Sequence, residues 1–264
     1  MIQKRFFLAY QYIKYFITAK TAHGVHSPFV YQFIENVLKQ IPDKHVFENI
    51  FKLRKTLASQ NNNITFKDMG AGSVVSKTNT RSISSIAKYA ARTHKYGKVL
   101  YSIIQYYKPS KIIELGTSLG IGSSYLALAN KEATIHTIEG SPEIAKLAYQ
   151  HWKEIGIENI VSHVGHFDNT LQTLLSDLKQ IDCIVIDGNH SYEPTIQYTK
   201  WALQHAHEKS IFIYDDIHWS KGMQKAWNEI ISYPEVTLSI DIFQLGIVFF
   251  NPDFKEKQHF ILKY

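Results

Sequence analysis

Cysteine is almost missing from this chain. A single thiol, Cys183, occurs in 264 residues, so no intrachain disulfide can form and a fold that depends on such staples is excluded. A reducing, cytoplasmic setting is the expectation that follows. No internal repeat or low-complexity tract divides the chain. Long hydrophobic runs are missing too. Near the amino terminus the longest uninterrupted one is Phe6 to Tyr10, far short of the roughly 20 residues that span a bilayer. Gln11 and Lys14 break the stretch, and Lys20 and Ala22 make a poor cleavage site for a secretory leader.

What is present reads as a globular protein, with 45% hydrophobic and 20% charged residues. The length suits one large domain, or one domain with an accessory segment. Lys and Arg number 29 against 23 Asp and Glu, a net +6. That excess is read as solvated surface charge, and nucleic acid is not an expected partner. The first residues form a basic, aromatic-rich helix in which Phe6, Tyr10, Ile13 and Ile17 recur at helical spacing. That stripe is expected to pack on the rest of the protein, with peripheral attachment to anionic lipid as the alternative.

Two textures meet near residue 110. Before it, apolar residues follow helical periods: Phe29, Phe33 and Val37, then Val46, Ile50 and Leu57, with Ser82–Ala91 and Lys98–Tyr107 as further helices. Ser27-Pro28 is a helix-start signal. After it, short apolar runs at Lys111–Leu115, Thr134–Ile138, Ile160–Val164, Cys183–Ile186 and Ile211–Tyr214 alternate with helical stretches. Continuous apolar strands imply burial on both faces, hence a parallel sheet between helical layers. Val236–Phe243 and Gly246–Phe250 are too close together for a crossover helix and are expected to pair antiparallel at one edge.

In such a sheet ligands bind beyond the carboxyl ends of the strands, where strand order reverses. The first strand runs into Glu114-Leu-Gly116-Thr-Ser118-Leu-Gly120-Ile-Gly122. A dinucleotide-binding turn needs a second glycine where Ser118 stands. A phosphate-binding loop needs a lysine, and no Lys or Arg occurs from Ile112 to Asn130. An acidic, phosphate-averse turn suits a cationic ligand. Glu139, ending the second strand, is placed to accept hydrogen bonds from both hydroxyls of a ribose. S-Adenosylmethionine combines a ribose with a positive sulfonium and fits both features. A similar pattern at Asp68-Met-Gly-Ala-Gly-Ser73 has no clear helix immediately after it and is read as a loop.

Glu114–Ala127, Ile138–Glu143, Val164–Leu171, Ile184–Glu193 and Phe212–Trp227 together resemble the class I S-adenosylmethionine-dependent methyltransferases. Within that superfamily they are closest to the branch of catechol-type, small-molecule O-methyltransferases. His23-Gly-Val-His-Ser-Pro-Phe29 resembles the start of an uncharacterised bacterial group. The resemblance implies an α/β, Rossmann-like, doubly wound sheet of seven strands, mostly parallel with the last antiparallel. It also implies a catalytic domain over residues 97–264 behind a helical cap over residues 1–96. The turn residues Gly116, Ser118 and Gly120, with Glu114, would receive the methionine part of the cofactor. Glu139 would hold the ribose, and Gly165-His166-Phe167 would flank the adenine.

Asp187 ends the fourth strand and Asp215-Asp216 end the fifth. Oxygen-only donors of this kind suit Mg²⁺ or Mn²⁺, which could bind and acidify a substrate hydroxyl. Alternatively, Asp187 contacts cofactor or substrate directly, while Asp215 and Asp216 cap helices. The related metal-dependent enzymes commonly carry Asn where Asp216 stands. His190 and His218 follow these acids and are candidate general bases, with Asp187 as the third catalytic candidate. The expected activity is methyl transfer to a hydroxyl of a small molecule with divalent-metal assistance. The alternatives are metal-free methylation of nitrogen or RNA, or a cofactor-binding scaffold without turnover.

Overall fold

The computed structural model describes residues 2–65, 80–90 and 93–264; the Asp68–Ser73 loop lies outside them. Helix α1 (Ile2–Thr18) is followed by α2 (Pro28–Phe33), which continues as a wider turn through Leu38. Next come α3 (Glu48–Ser59) and a two-stranded antiparallel ribbon of β1 (Asn63–Thr65) and β2 (Thr80–Ser82). The short α4 (Ile83–Ser85) and then α5 (His94–Tyr107) lead into the main sheet.

From there strands and helices alternate: β3 (Lys111–Leu115), α6 (Ile121–Ala129), β4 (Thr134–Glu139), α7 (Pro142–Glu154), β5 (Ile160–Val164) and α8 (Phe167–Leu178) form the first half. The second half is β6 (Cys183–Ile186), α9 (Tyr192–Leu203), β7 (Ile211–Asp215), α10 (Lys221–Ile230), β8 (Leu238–Asp241), β9 (Leu245–Phe249) and β10 (Gln258–Ile261). Strand order is β10-β8-β9-β7-β6-β3-β4-β5. Strands β3 to β7 pair in parallel, and β9 runs antiparallel between β7 and β8. The fold is therefore the expected α/β sheet, with the expected hairpin at β8–β9. The hairpin is not the edge, however, because β10 adds an eighth strand parallel to β8. Its four residues, Gln258–Ile261, are too few to show a strand period.

Successive residues of each strand serve opposite layers, as the two-residue period of a strand requires. Ile112, Val185 and Ile213 belong to the core shared with α2, α5, α6 and α7. Ile113, Ile184 and Phe212 belong to the core under α8, α9 and α10. The amino-terminal helices share these cores: Val30, Phe33 and Val37 join the first, and Phe47, Ile50, Leu53 and Leu57 pack on Tyr101, Leu119 and Tyr125.

Helix α1 reverses the expectation for its stripe. Phe6, Tyr10, Ile13 and Ile17 are 72%, 63%, 58% and 76% exposed. Its buried side is Gln11, Tyr15 and Ala19, one turn apart. Gln11 exchanges amide hydrogen bonds with Gln224 of α10, and the Tyr15 hydroxyl donates to the Leu262 carbonyl at 2.5 Å. Polar and aromatic contacts seat the helix, so its more apolar face is left outside.

Candidate active site

Strand β3 has β4 on one side and β6 on the other, so the crevice opens where β3 and β6 part. Gly116 and Asp187 face each other there. A β-carbon on Gly116 would lie 2.4 Å from the Asp187 carbonyl oxygen, and its φ of +103° is left-handed, so only glycine fits. Ser118 and Gly120 also have positive φ, at 49° and 78°. Gly120 precedes α6, and its carbonyl accepts from the Trp152 indole at 3.0 Å. The turn is thus drawn tight against the sheet on one side and against α7 on the other.

Two glutamates sit at this end in different states. Glu114 is buried and accepts hydrogen bonds from the Ser123 hydroxyl and, at 2.7 Å, from the Thr137 hydroxyl. It ties the start of α6 to β3 and β4. Glu139 is only half-buried, and its two oxygens accept from the Ser118 and Ser141 amides, each at 3.0 Å. Two backbone donors fix the plane of the carboxylate. Gly165, His166 and Phe167 follow β5. His166 is exposed and serves as the N-cap of α8, accepting from the Asp168 amide. The half-buried Phe167 ring stands edge-on to Tyr198 and lies where a side chain on Gly188 would go, so it reaches the β6 end of the crevice.

The β6 and β7 ends carry three carboxylates, Asp187, Asp215 and Asp216. Asp187 lies 3.8 Å from His190 Nε2. Asp215 is buried at the end of β7, and Asp216 takes a left-handed φ of 55°. Among the described residues, no group of three or more His, Cys, Asp or Glu side chains is arranged to hold a metal ion.

His218 has a partner that strand-end reasoning missed. Its Nε2 lies 2.7 Å from Oδ2 of Asp241, a buried residue ending β8, and its ring stacks on Phe243 at 5.3 Å between centroids. Oδ1 of the same aspartate accepts from the Phe243 amide at 2.8 Å. A carboxylate only accepts, so Nε2 carries the hydrogen and Nδ1 holds the lone pair. Nδ1 is buried and has no hydrogen-bond partner among the described residues. Tyr12 and Tyr15 of α1 close on the other side of Phe243, at 5.0 and 5.2 Å. The phenol of Tyr96, raised chiefly by burial and also by Tyr15 and Asp215, borders the same region. Asp241 could have been suspected as a polar strand end. Nothing local signals Tyr15 or Tyr96.

Residues 113–217 match the family model of a methyltransferase domain. Among curated proteins, no sequence matches the chain. Among solved structures, the fold is similar to an O-methyltransferase of Streptomyces achromogenes involved in tomaymycin synthesis, in complex with SAM. That pair shares 21% identity and a TM-score of 0.52, over 61% of this chain and 82% of that one. It is similar as well to an O-methyltransferase from Bacillus cereus in complex with SAH, at 16% identity and TM-score 0.56, over 84% of this chain and 97% of that one. A SAH-bound methyltransferase of Podospora anserina shares 16% identity, with a TM-score of 0.58 over 86% and 97% of the two chains.

Proposed function

We propose that this chain is a class I S-adenosylmethionine-dependent methyltransferase, a reading that its matched domain and its fold support, and that it methylates a hydroxyl of a small molecule with His218 as the base. The observation that carries the hydroxyl reading is the His218–Asp241 pair at the β7 end of the crevice. The cofactor residues fit: a turn that admits no side chain at Gly116, and a carboxylate at Glu139 oriented by two amides. Glu114 shapes the turn from beneath, while Gly165, His166 and Phe167 form the adenine side. When bound, S-adenosylmethionine supplies a methyl group already activated by its sulfonium.

The protein's part is then placement and one proton. His218 Nδ1 takes the proton of the acceptor hydroxyl as its oxygen bonds to the methyl carbon, and the electron pair of the broken carbon–sulfur bond stays on sulfur. Asp241 holds the imidazole in the correct tautomer and offsets the charge it gains. Asp187 and His190 line the same crevice on the β6 side. Were Mg²⁺ or Mn²⁺ held at Asp187, Asp215 and Asp216, it would bind and acidify the same hydroxyl. The segment 1–96 acts as a cover, with α1 closing over Phe243; excluding water there strengthens the electrostatics of the transfer.

Calorimetric titration with S-adenosylmethionine, with NAD as control, tests the cofactor site. Saturable binding of the first alone is expected, and Glu139→Ala should weaken it by about 1.5–3 kcal/mol, roughly tenfold to a hundredfold. Preference for NAD would end the reading. A binding-competent protein that methylates no member of a hydroxyl-acceptor panel, with or without Mg²⁺, would favour the scaffold instead.

A further inference from the structure

The outward face of α1 is the largest run of exposed apolar side chains on one element. Phe6, Tyr10, Ile13 and Ile17 line it, and Phe16 and Tyr12 flank it at 55% and 50% exposure. Scattered exposed hydrophobes are ordinary, but a continuous stripe along a well-seated helix is a surface built for contact. The helix is seated on its other side by Gln11, Tyr15 and the backbone link from Lys20 to β10, so burying the stripe is not needed to hold it in place.

The charge around the stripe identifies the occupant. No Asp or Glu occurs before Glu35, while Lys4, Arg5, Lys14 and Lys20 do. Lys14 and Lys20 are exposed, and the Lys263 ammonium sits 4.6 Å from the Phe16 ring. Apolar and aromatic residues rimmed by cations, with no acid among them, match the boundary between acyl chains and anionic headgroups. A second copy meets this face poorly. A two-fold contact sets like against like, which would bring these cations together with no carboxylate on the helix to pair them. The helix face is also only about 25 Å by 10 Å, roughly a third of the ~800 Å² that each partner of a stable dimer contributes.

We propose that α1 is an interfacial anchor that lays the protein on an anionic membrane surface, with Phe6, Tyr10, Ile13 and Ile17 in the acyl boundary and Lys14, Lys20 and Lys263 at the headgroups. This does not depend on the reaction assigned above. It does have a geometric consequence, because the inner side of the same helix rests on Phe243, which stacks on His218. The acceptor end of the crevice then lies about one helix diameter from the bilayer.

The test is co-sedimentation of the full chain with vesicles of phosphatidylcholine containing 30 mol% phosphatidylglycerol, and with phosphatidylcholine alone. Binding to the anionic vesicles is expected, at least tenfold weaker without phosphatidylglycerol or in the double variant Ile13→Asp/Ile17→Asp. Both positions are exposed, so the variant's melting temperature should match that of the native chain, which separates lost docking from lost folding. No binding to anionic vesicles would overturn the proposal, as would equal binding by a correctly folded variant. A dimer in sedimentation velocity without lipid, abolished by the same double variant, would assign the face to a second copy and overturn it equally.

Discussion

The two ends of the crevice are built from different materials. At the β3–β4 end the parts are mostly backbone: three positive-φ residues in a row of five, amides that hold Glu139, and a glycine with no space for a β-carbon. At the β7–β8 end they are side chains from distant segments, His218 with Asp241, Phe243 between them and α1, and Tyr96 beyond. A site made of backbone binds one shape of ligand and tolerates little change. A site made of side chains can be retuned one residue at a time, which suits the half that recognises a variable acceptor. The contrast implies that damage at the first end removes binding and fold together, while damage at the second removes rate alone.

The largest expected effect sharpens the first half of that statement. Gly116→Ala places a methyl group 2.4 Å from a backbone oxygen at a φ that alanine disfavours, and that oxygen is the carbonyl of Asp187, whose amide is tied to Leu115 just past β6, so it cannot swing aside as a side chain would. We expect a loss of about 2–4 kcal/mol in urea unfolding, with S-adenosylmethionine binding abolished. A variant of native stability that still binds the cofactor would show that the turn is looser than drawn.

Next in size is Asp241→Asn, which keeps the shape of the pair but has one accepting oxygen for two donors, His218 Nε2 and the Phe243 amide, and carries no charge. If His218 is the base, kcat should fall by about 10²–10³ while the cofactor affinity changes less than about twofold. An equal loss of cofactor affinity would break the division between the two ends. Unchanged kcat would pass the role of base to His190, beside Asp187.

How much of this was legible in the sequence follows the same division. Gly116, Ser118, Gly120 and Glu139 lie within two consecutive strand–turn units, so their spacing alone placed them together at one end of the crevice, the end proposed to take the cofactor. The partners of His218 are Asp241, 23 residues away, and Phe243, on which Tyr12 and Tyr15 close from more than 200 positions away in α1, and only the closed sheet brings them together. The strand endings marked the acids Asp187, Asp215 and Asp216 but not the buried Asp241 that pairs with His218. Helix α1 misled in an instructive way. Its apolar period was real, but period identifies a face and not what covers it, and here tyrosine and glutamine won the protein side through specific hydrogen bonds.

The smallest expected effect spans both ends and would test whether they fail together. His136 and His163 are hydrogen-bonded neighbours on β4 and β5, and His259 lies on β10 at the opposite side of the sheet. All three are held below the ordinary imidazole value, chiefly by burial; for His136 the neighbouring His163 adds to this, and for His259 the nearby Asp241 opposes it. Each therefore folds as the neutral ring and takes up its proton more readily when unfolded. The unfolded chain binds more protons once the pH drops to about 6.5 and below, so stability declines there and is fully present at higher pH. Urea midpoints measured from pH 8 to pH 5 should be level at first and then fall. His259→Gln should flatten part of that fall without moving the cofactor affinity at pH 8, whereas His136→Gln, on the strand that ends in Glu139, should relieve the charge conflict with His163 and flatten another part. If one substitution removed the whole slope, the two sides of the sheet would not be independent, and the contrast between a rigid cofactor end and an adjustable acceptor end would fail.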